Sequence, residues 1–402
     1  MSLPKDLNFD FRAGLDGSSS RNFQCMPSNG SSTNVGGTIR IDLPMEANSY
    51  LNGNFTNLKF AVKNPSAAHT ITIGSASDLI QSITVYSGSN VIEMCDNFNY
   101  LMPLLQSVGG EQDPAKGFEN ILLGYNGTPV APTGTVIAVS SSANFTVPLS
   151  CLGTIGGNCQ KYLPMSGNLR LEVQLAQKVD AVKADAAHVG SPSVEGCALE
   201  IQVVSLPYEV AESIREVNGG VIEIGSKQWR SFSAASQAGQ TSESLVFPVR
   251  CTDLLSAVAI HNNQAGQGDK FSTLNRGKCG LTSYQWRLGT EPLPSTAPVT
   301  SPEQFAMLQG AFHGVGSDVC KQISAAAWET ETSDDSAVGA YASSLESESF
   351  SHSSRVNRGR DTTNLQCFYQ PTYSTSIAST VHMYAYCLTR LVLADGIYRN
   401  IM

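Results

Sequence analysis

The sequence predicts an all-β chain organised as two successive β domains joined by a short helix. Three observations carry this reading. Apolar side chains recur at every second position in segment after segment. Helical periodicity is confined to three stretches. Elements of one half return in the same order in the other. A chain of 402 residues is long for one core and comfortable for two domains of ordinary size.

Residues 1–36 are rich in Gly, Ser and Asn with little periodicity, and read as an N-terminal arm. The first domain is expected over 37–207. Within it "TIRIDL" puts Ile39, Ile41 and Leu43 on one face, and "LKFAVK" puts Leu58, Phe60 and Val62 between Lys59 and Lys63. "LRLEVQL" sets Leu169, Leu171, Val173 and Leu175 against Arg170, Glu172 and Gln174, and "LEIQV" carries Leu199, Ile201 and Val203. "LPYEVAESIREVNGG" groups Val210, Ile214 and Val217 on one face and ends on Gly219, which predicts a linker helix at 208–220.

The second domain, 221–402, contains "LVFPV" (Leu245, Phe247, Val249), "YQWRL" (Tyr284, Trp286, Leu288) and "LQCFY" (Leu365, Cys367, Tyr369). "VHMYAYCLTRLVL" is apolar on both sides, as a central strand should be. "SPEQFAMLQGAFHG" predicts a helix with Ser301 as N-cap, Pro302 at N1 and Gln304 at N3. "DNFNYLMPLLQSV" predicts a shorter helix limited by Pro103.

The halves echo each other. "SDLIQSITVYS" (77–87) and "TDLLSAVAIHN" (252–262) match in residue type, with Asp78 over Asp253 and Val85 over Ile260. Helical inserts follow in both halves, then strands that begin at Asn168-Leu169 and Asn364-Leu365, then a long apolar closing strand. The shared order predicts a tandem repeat. On that reading the two phrases occupy corresponding places, and Asp78 and Asp253 are turn or cap residues at a strand entrance. Between 314 and 362 one strand of the second domain is hard to place; "SESFSHSSRV" is a weak candidate.

Charged residues are 15% of the chain, against about a quarter in typical domains. The net charge is −9 and no cluster of five Lys or Arg occurs. A chain that replaces nucleic-acid counterions needs a basic stripe, so sequence-specific nucleic-acid binding is not expected. The first residues lack the basic start and apolar core of a signal peptide, and no apolar run reaches the roughly 18 residues of a membrane span. Asn-x-Ser/Thr matches at Asn29, Asn54, Asn126 and Asn144 then read as chance. Ten cysteines, several inside apolar strands, read as reduced structural thiols; Cys151 and Cys159 are the pair most able to form a bridge or a metal half-site.

No constellation of reactive residues emerges, so no catalytic, cofactor or metal residue is assigned and no enzymatic activity is expected. The histidines at 69, 188, 261, 313, 352 and 382 form no His-x-His or His-x-x-x-His. There is no Gly-x-Ser-x-Gly elbow. "GTIGG" (153–157) and "GSASD" (74–78) resemble phosphate cradles only in composition. Glu329, Glu331, Asp334 and Asp335 read as a solvated acidic loop, their spacing being foreign to an EF-hand. Trp229, Trp286 and Trp328 read as core or interface residues before they read as a sugar platform.

Antiparallel domains of this size are sandwiches, jelly rolls or barrels. The phrases "GTIRIDLP", "SDLIQSITVYSGSNVIE" running into "FNYLMPLLQ", "FTVPLSCLG", "KYLPMSGNLRLEVQLA" and "SYQWRLGTEPLPSTAPV" resemble the double jelly-roll major capsid proteins of tailless icosahedral DNA viruses. That family includes tectivirus coat proteins, the adenovirus hexon and virophage capsid proteins. The resemblance covers about 37 to 402. It implies an all-β fold of two tandem eight-stranded jelly rolls with small helical inserts and long loops. It implies a structural capsid subunit, located in the virion, that forms a pseudo-hexagonal homotrimer tiling an icosahedral shell. Implied partners are neighbouring capsomers, penton and minor capsid proteins, and an internal membrane reached by the N-terminal arm. Loops 107–142, 262–282 and 314–348 would form outer towers open to a host receptor. Two other classes fit a pair of β domains: a glycoprotein-processing hydrolase, and a carbohydrate-binding surface protein.

Overall fold

The computed structural model describes residues 17–30, 32–109, 118–124, 127–128, 131–132, 134–157, 159, 161–184, 188, 190–263, 276–312, 323, 325–329, 340–345 and 359–401. Its first half is built from β1 (Ser19–Cys25), β2 (Thr38–Asp42), β3 (Ser49–Lys63), β4 (Ile80–Ser87), β5 (Asn90–Cys95), helix α1 (Phe98–Gly109), β6 (Ser142–Pro148), β7 (Leu169–Leu175) and β8 (Ser193–Ser205). These strands form two antiparallel sheets, β1-β8-β3-β6 and β2-β7-β4-β5. Helix α2 (Tyr208–Val217) leads to the second half. There β9 (Ile222–Ser236), β10 (Leu254–Asn263), β11 (Leu281–Leu288), α3 (Ser301–Phe312), β12 (Tyr341–Ser344), β13 (Cys367–Tyr373), β14 (Ser379–Ala394) and β15 (Ile397–Ile401) follow. One sheet runs β9-β14-β10-β12 with β15 added on β14; the other runs Leu245–Val246, β13, β11, Glu291–Leu293.

Taken in chain order, both halves repeat one connectivity: the strands visit the two sheets in the same sequence, and the eighth strand of each is a long central one, followed in the second half by β15. This is the eight-stranded jelly roll written twice. Alternation explains the strands. In β7, Leu169, Leu171, Val173 and Leu175 are buried while Arg170, Glu172 and Gln174 face outward. In β8 the pairing slips between Glu195 and Ala198, where Gly196 takes a φ of +59°, a bulge that returns Val194 and Leu199 to the core side.

The two cores differ in chemistry. The first is aliphatic, built on Ile39, Ile41, Leu58, Val62, Ile83, Val85, Leu171 and Val173. The second is aromatic: the Trp286 ring lies 4.9 Å from Phe247 and 4.7 Å from Tyr369, and the Tyr284 hydroxyl donates to the Ala342 carbonyl at 2.7 Å. One continuous apolar cluster spans both rolls, so they are packed as one body.

Several expectations change. Residues 1–36 are not wholly an arm: Ser19–Cys25 pairs in register with β8 from Ser205 to Leu199, and Ser32–Asn34 pairs with the same strand. The repeated phrases are not equivalent. β4 lies between β7 and β5, whereas β10 lies between β14 and β12. By position in the roll, β4 corresponds to β11 and β10 to β3. Asp78 does act as a cap: its Oδ2 accepts from the Ser75 amide at 2.9 Å at the start of a 3-10 turn over Ala76–Leu79.

Helix α3 is capped one residue earlier than predicted. Glu303 Oε2 accepts from the Thr300 and Val299 amides, and Gln304 instead turns inward, its Nε2 donating to the Thr282 and Pro298 carbonyls. Pro103 does not stop α1, which continues to Gly109; the tertiary packing of the helix overrides the lost amide. The strand hard to place is β12, inside the segment read as an acidic loop, and "SESFSHSSRV" lies outside the described residues.

Candidate functional site: the inter-roll seam and the loop-bearing end

Among the described residues, the features that stand out are the seam between the rolls and the end that carries the long loops. β5 of the first roll packs against β9 and β15 of the second. Glu93, on β5 and 3% exposed, accepts from the backbone amides of Gly153 and Thr154, each at 2.7 Å. Two amides of "GTIGG" therefore hold the protein's own Glu93 carboxyl. Gly153 is required there, since a Cβ would lie 2.4 Å from the Lys227 carbonyl oxygen. Burial raises the Glu93 carboxyl above its ordinary range, and the two amides pull it back in part.

Around this clasp the second roll is stitched on. Gln228 Nε2 donates to the Ile92 carbonyl at 3.3 Å, and Asn400 Nδ2 donates to the same carbonyl at 2.8 Å and to Gln228 Oε1 at 3.1 Å. Tyr398, fully buried on β15, donates its hydroxyl to the Pro164 carbonyl at 2.6 Å and its amide to Ser87 Oγ at 2.9 Å. Its ring fills the space at Gly167, where a Cβ would approach within 2.5 Å. On the other side of the seam Asn97 donates to Ser231 Oγ at 2.7 Å, Tyr384 donates to the Asn97 carbonyl at 3.1 Å, and Tyr100 of α1 stacks on His382 at 4.2 Å.

The long loops share one end. Ser142, where β6 begins, pairs with Lys63, where β3 ends, and in the second roll Tyr341, at the start of β12, pairs with Ala259, beyond which β10 runs on for four more residues. The connections after β3 and β10 and those before β6 and β12 therefore leave each roll at the same end. The two ends adjoin, because Arg276 reaches from the second roll to Ser107 Oγ and the Pro103 carbonyl on α1. The described strand ends that flank loops 107–142, 262–282 and 314–348 thus lie on one side, and much of each loop lies outside the described residues. The described parts are not structureless: they include the helix Phe118–Leu123, the strand Thr135–Ile137 and the helix Ala325–Glu329.

Packing and hydrogen bonds engage the remaining candidates that fall within the described residues. His261 is enclosed by Tyr341, Tyr369 and Tyr373, with Nε2 3.2 Å from the Tyr369 hydroxyl, and burial pulls its ring down to about 3. Burial pulls His382 down to about 4. His188 meets Asn64 Oδ1 at 3.0 Å and Lys178 Nζ at 2.9 Å, and its ring is lowered by burial and then by Lys178. The His69 carbonyl accepts from Asn64. His313 and His352 lie outside the described residues. Trp286 and Trp328 are buried, and Trp229, also buried, stacks on Tyr386 at 4.4 Å. Glu329 pairs with Lys278 at 2.9 Å, while Glu331, Asp334 and Asp335 lie outside the described residues.

Cys151 and Cys159 are not bridged to each other, and Cys159 Sγ turns to the Lys161 carbonyl at 3.1 Å. Asn29 is engaged through both side-chain atoms, with Thr38 and Arg40; Asn54 and Asn144 sit mid-strand, and Asn126 lies outside the described residues. Glu93, Gln228, Asn400 and Tyr398 were not singled out by sequence reasoning. The glycines of "GTIGG" were the available signal, but a one-chain pattern does not say which acid reaches them.

No model of a known protein family matches the chain, and no curated protein matches it in sequence. Solved structures do match in fold: this is the double jelly roll of viral major capsid proteins. PBCV-1 VP54, as fitted into a cryo-EM reconstruction of the virophage Sputnik, has a TM-score of 0.67 over 99% of each chain at 12% identity. The Faustovirus major capsid protein has a TM-score of 0.62, covering 96% of this chain and 92% of that one at 10% identity. The mavirus major capsid protein has a TM-score of 0.54, covering 100% and 95% at 9% identity. At such identities the likeness is one of fold.

Proposed function

We propose that the chain is the major structural subunit of an icosahedral viral capsid and works as a homotrimer. One observation carries the reading: two jelly rolls locked side by side by a polar and aromatic seam, a pair that aligns end to end with viral capsid proteins. Three copies bring six similar rolls around an axis, which yields a pseudo-hexagonal block able to tile a shell. The seam matters for this role because a tile must hold its two rolls in fixed relation.

The surface supports self-association. Met45 is 69% exposed and Val217 is 83% exposed, alongside Met26, Phe55, Tyr208 and Val246, apolar groups that contact with further copies would cover. The loop-bearing end faces outward in this arrangement, where it is open to a host receptor. Minor capsid proteins or an internal membrane are the further partners of this reading. Contacts with neighbouring capsomers and with pentons follow from tiling. The chain carries out no catalysis in this role, and its place is the virion.

The test is light scattering coupled to size exclusion on the purified full chain, followed by negative-stain imaging. A trimer with a hexagonal outline is the expected result. A strictly monomeric species at micromolar concentration, or a defined oligomer with no threefold symmetry, overturns the proposal. Release of sugar from a glycopeptide, or retention of glycans, would favour the hydrolase or carbohydrate-binding classes instead.

A further inference from the structure

The sulfur atoms of Cys251 and Cys387 lie 3.1 Å apart in the interior of the second roll. Both residues are essentially fully buried, at 1% and 0% exposure. They come from distant parts of the chain. Cys387 sits in the middle of β14, paired with Gln228 on one side and Leu254 on the other. Cys251 lies on the turn before β10. Both backbones are held: the Cys251 amide donates to Thr362 Oγ1 at 3.1 Å, the Thr362 amide donates to the Cys251 carbonyl at 2.9 Å, and the Leu388 amide donates to the Asp253 carbonyl at 2.9 Å. Closing the gap to a disulfide length of about 2.05 Å asks for roughly 1 Å of movement.

A second feature points to chemistry at this pair. Arg230 donates through Nη1 to the Arg250 carbonyl at 2.8 Å, while its Nη2 is buried without a hydrogen-bond partner. The guanidinium charge is felt at both sulfurs. Cys251 accepts the hydrogen bond from Cys387, which together with Thr362 and Arg230 holds its thiol below the ordinary range despite burial. The Cys387 thiol, as donor and by burial, is held well above it. The 3.1 Å contact places either sulfur within reach of the other, and the direction of the hydrogen bond assigns Cys251 the attacking role and Cys387 the resolving one.

We propose that Cys251 and Cys387 form an oxidation-driven disulfide that locks the central strand β14 to the turn before β10. With a hydroperoxide as oxidant, the Cys251 thiolate attacks one peroxide oxygen. An S–O bond forms, the O–O bond breaks, and the hydroxide released takes up a proton to leave as water. Cys387 then gives up its proton and attacks the sulfenic sulfur; the S–S bond forms, the S–O bond breaks, and a second water leaves. Two thiols and one hydrogen peroxide become one disulfide and two waters. The chemistry is a property of the second roll alone. Its timing rests on the capsid reading: thiols while the subunit is made in a reducing interior, disulfide once the particle is outside.

The test uses the full-length protein, fully reduced and then freed of reductant, with and without hydrogen peroxide, denatured in an alkylating agent and analysed by mass spectrometry. The chain has ten cysteines. The expected result after peroxide is the loss of two of those ten alkylation sites, a cross-linked peptide pair containing Cys251 and Cys387, and a thermal midpoint several degrees above that of the reduced protein. Cys387→Ser and, should it fail to fold, Cys251→Ala each abolish both the link and the shift. Ten alkylated cysteines after peroxide, or a link to Cys367 in place of Cys387, overturns the proposal. Particle size measured on the same samples tests the capsid reading separately: a linked monomer sustains the disulfide and sinks the shell.

Discussion

Lowering the pH from 7 to 5 is expected to cost this protein about 4 kcal/mol of folding stability through two side chains, His261 and His382. Each is buried and neutral in the folded chain, with the ring held at about 3 and about 4 respectively. In the unfolded chain each ring titrates near an ordinary value of about 6.5. Between those limits the unfolded chain binds the protons, so the stability is fully present above the unfolded value and is lost as pH falls toward the folded ones. The loss per group is about 1.4 kcal/mol per pH unit, hence about 2 kcal/mol each by pH 5.

Among the described residues, burial alone shifts either ring, and no acidic group offsets it. His261 faces the phenols of Tyr341, Tyr369 and Tyr373, and His382 stacks on Tyr100. Arg276, which bridges to Asn262 beside His261, adds positive charge. The assay is urea unfolding at pH 7 and pH 5. His261→Gln and His382→Phe, whatever they do to baseline stability, should each remove about half of the pH difference. Equal stability at the two pH values, or the same difference in both variants as in the parent, refutes the reasoning.

Two further predictions concern the seam. Glu93→Gln keeps the shape of the clasp but turns one acceptor toward the Gly153 or Thr154 amide into a donor, and should cost about 1–3 kcal/mol in denaturant unfolding. It should also remove a pH term opposite in sign to that of the histidines: the raised Glu93 carboxyl contributes stability below its unfolded value, and this fades as pH rises through the folded one. Tyr398→Phe, which loses only the bond to Pro164, should cost about 1 kcal/mol. Tyr398→Ala empties the space over Gly167, should cost about 3–5 kcal/mol by analogy with other aromatic truncations, and should make the junction between the rolls accessible to limited proteolysis.

The strands that sequence reasoning located best are those whose alternation is strict. β7 and the outer part of β3 read directly, because one buried face and one wet face impose a period of two on any strand of a covered sheet. The repeated phrase misled for the same reason. An Asp-Leu entry followed by apolar residues is what many strand beginnings look like, and it carries no address. A difference was nevertheless present. "IQSITVYS" alternates, with Gln81 exposed, whereas every residue of "LLSAVAIHNN" is buried, including His261, Asn262 and Asn263. The first has one wet face; the second is covered on both.

The shared order of helical insert, Asn-Leu strand and closing strand pointed rightly to two rolls, because it reflects chain connectivity and not one matched pair. β1 and β12 were missed because they are short or carry exposed polar side chains, and they become strands through pairing with β8 and β10.

By itself the sequence determined the secondary-structure class, the two-part organisation, the helical linker and the lack of any recognisable catalytic motif, all of which depend on local periodicity and residue type. Only the tertiary structure decided which strands are neighbours, that Glu93 meets two amides of "GTIGG", and that Cys251 meets Cys387 and not Cys151 meets Cys159. Those partners are separated by tens to more than a hundred residues of chain, and their meeting is set by how the two sheets of each roll close on one core, for which no local pattern codes.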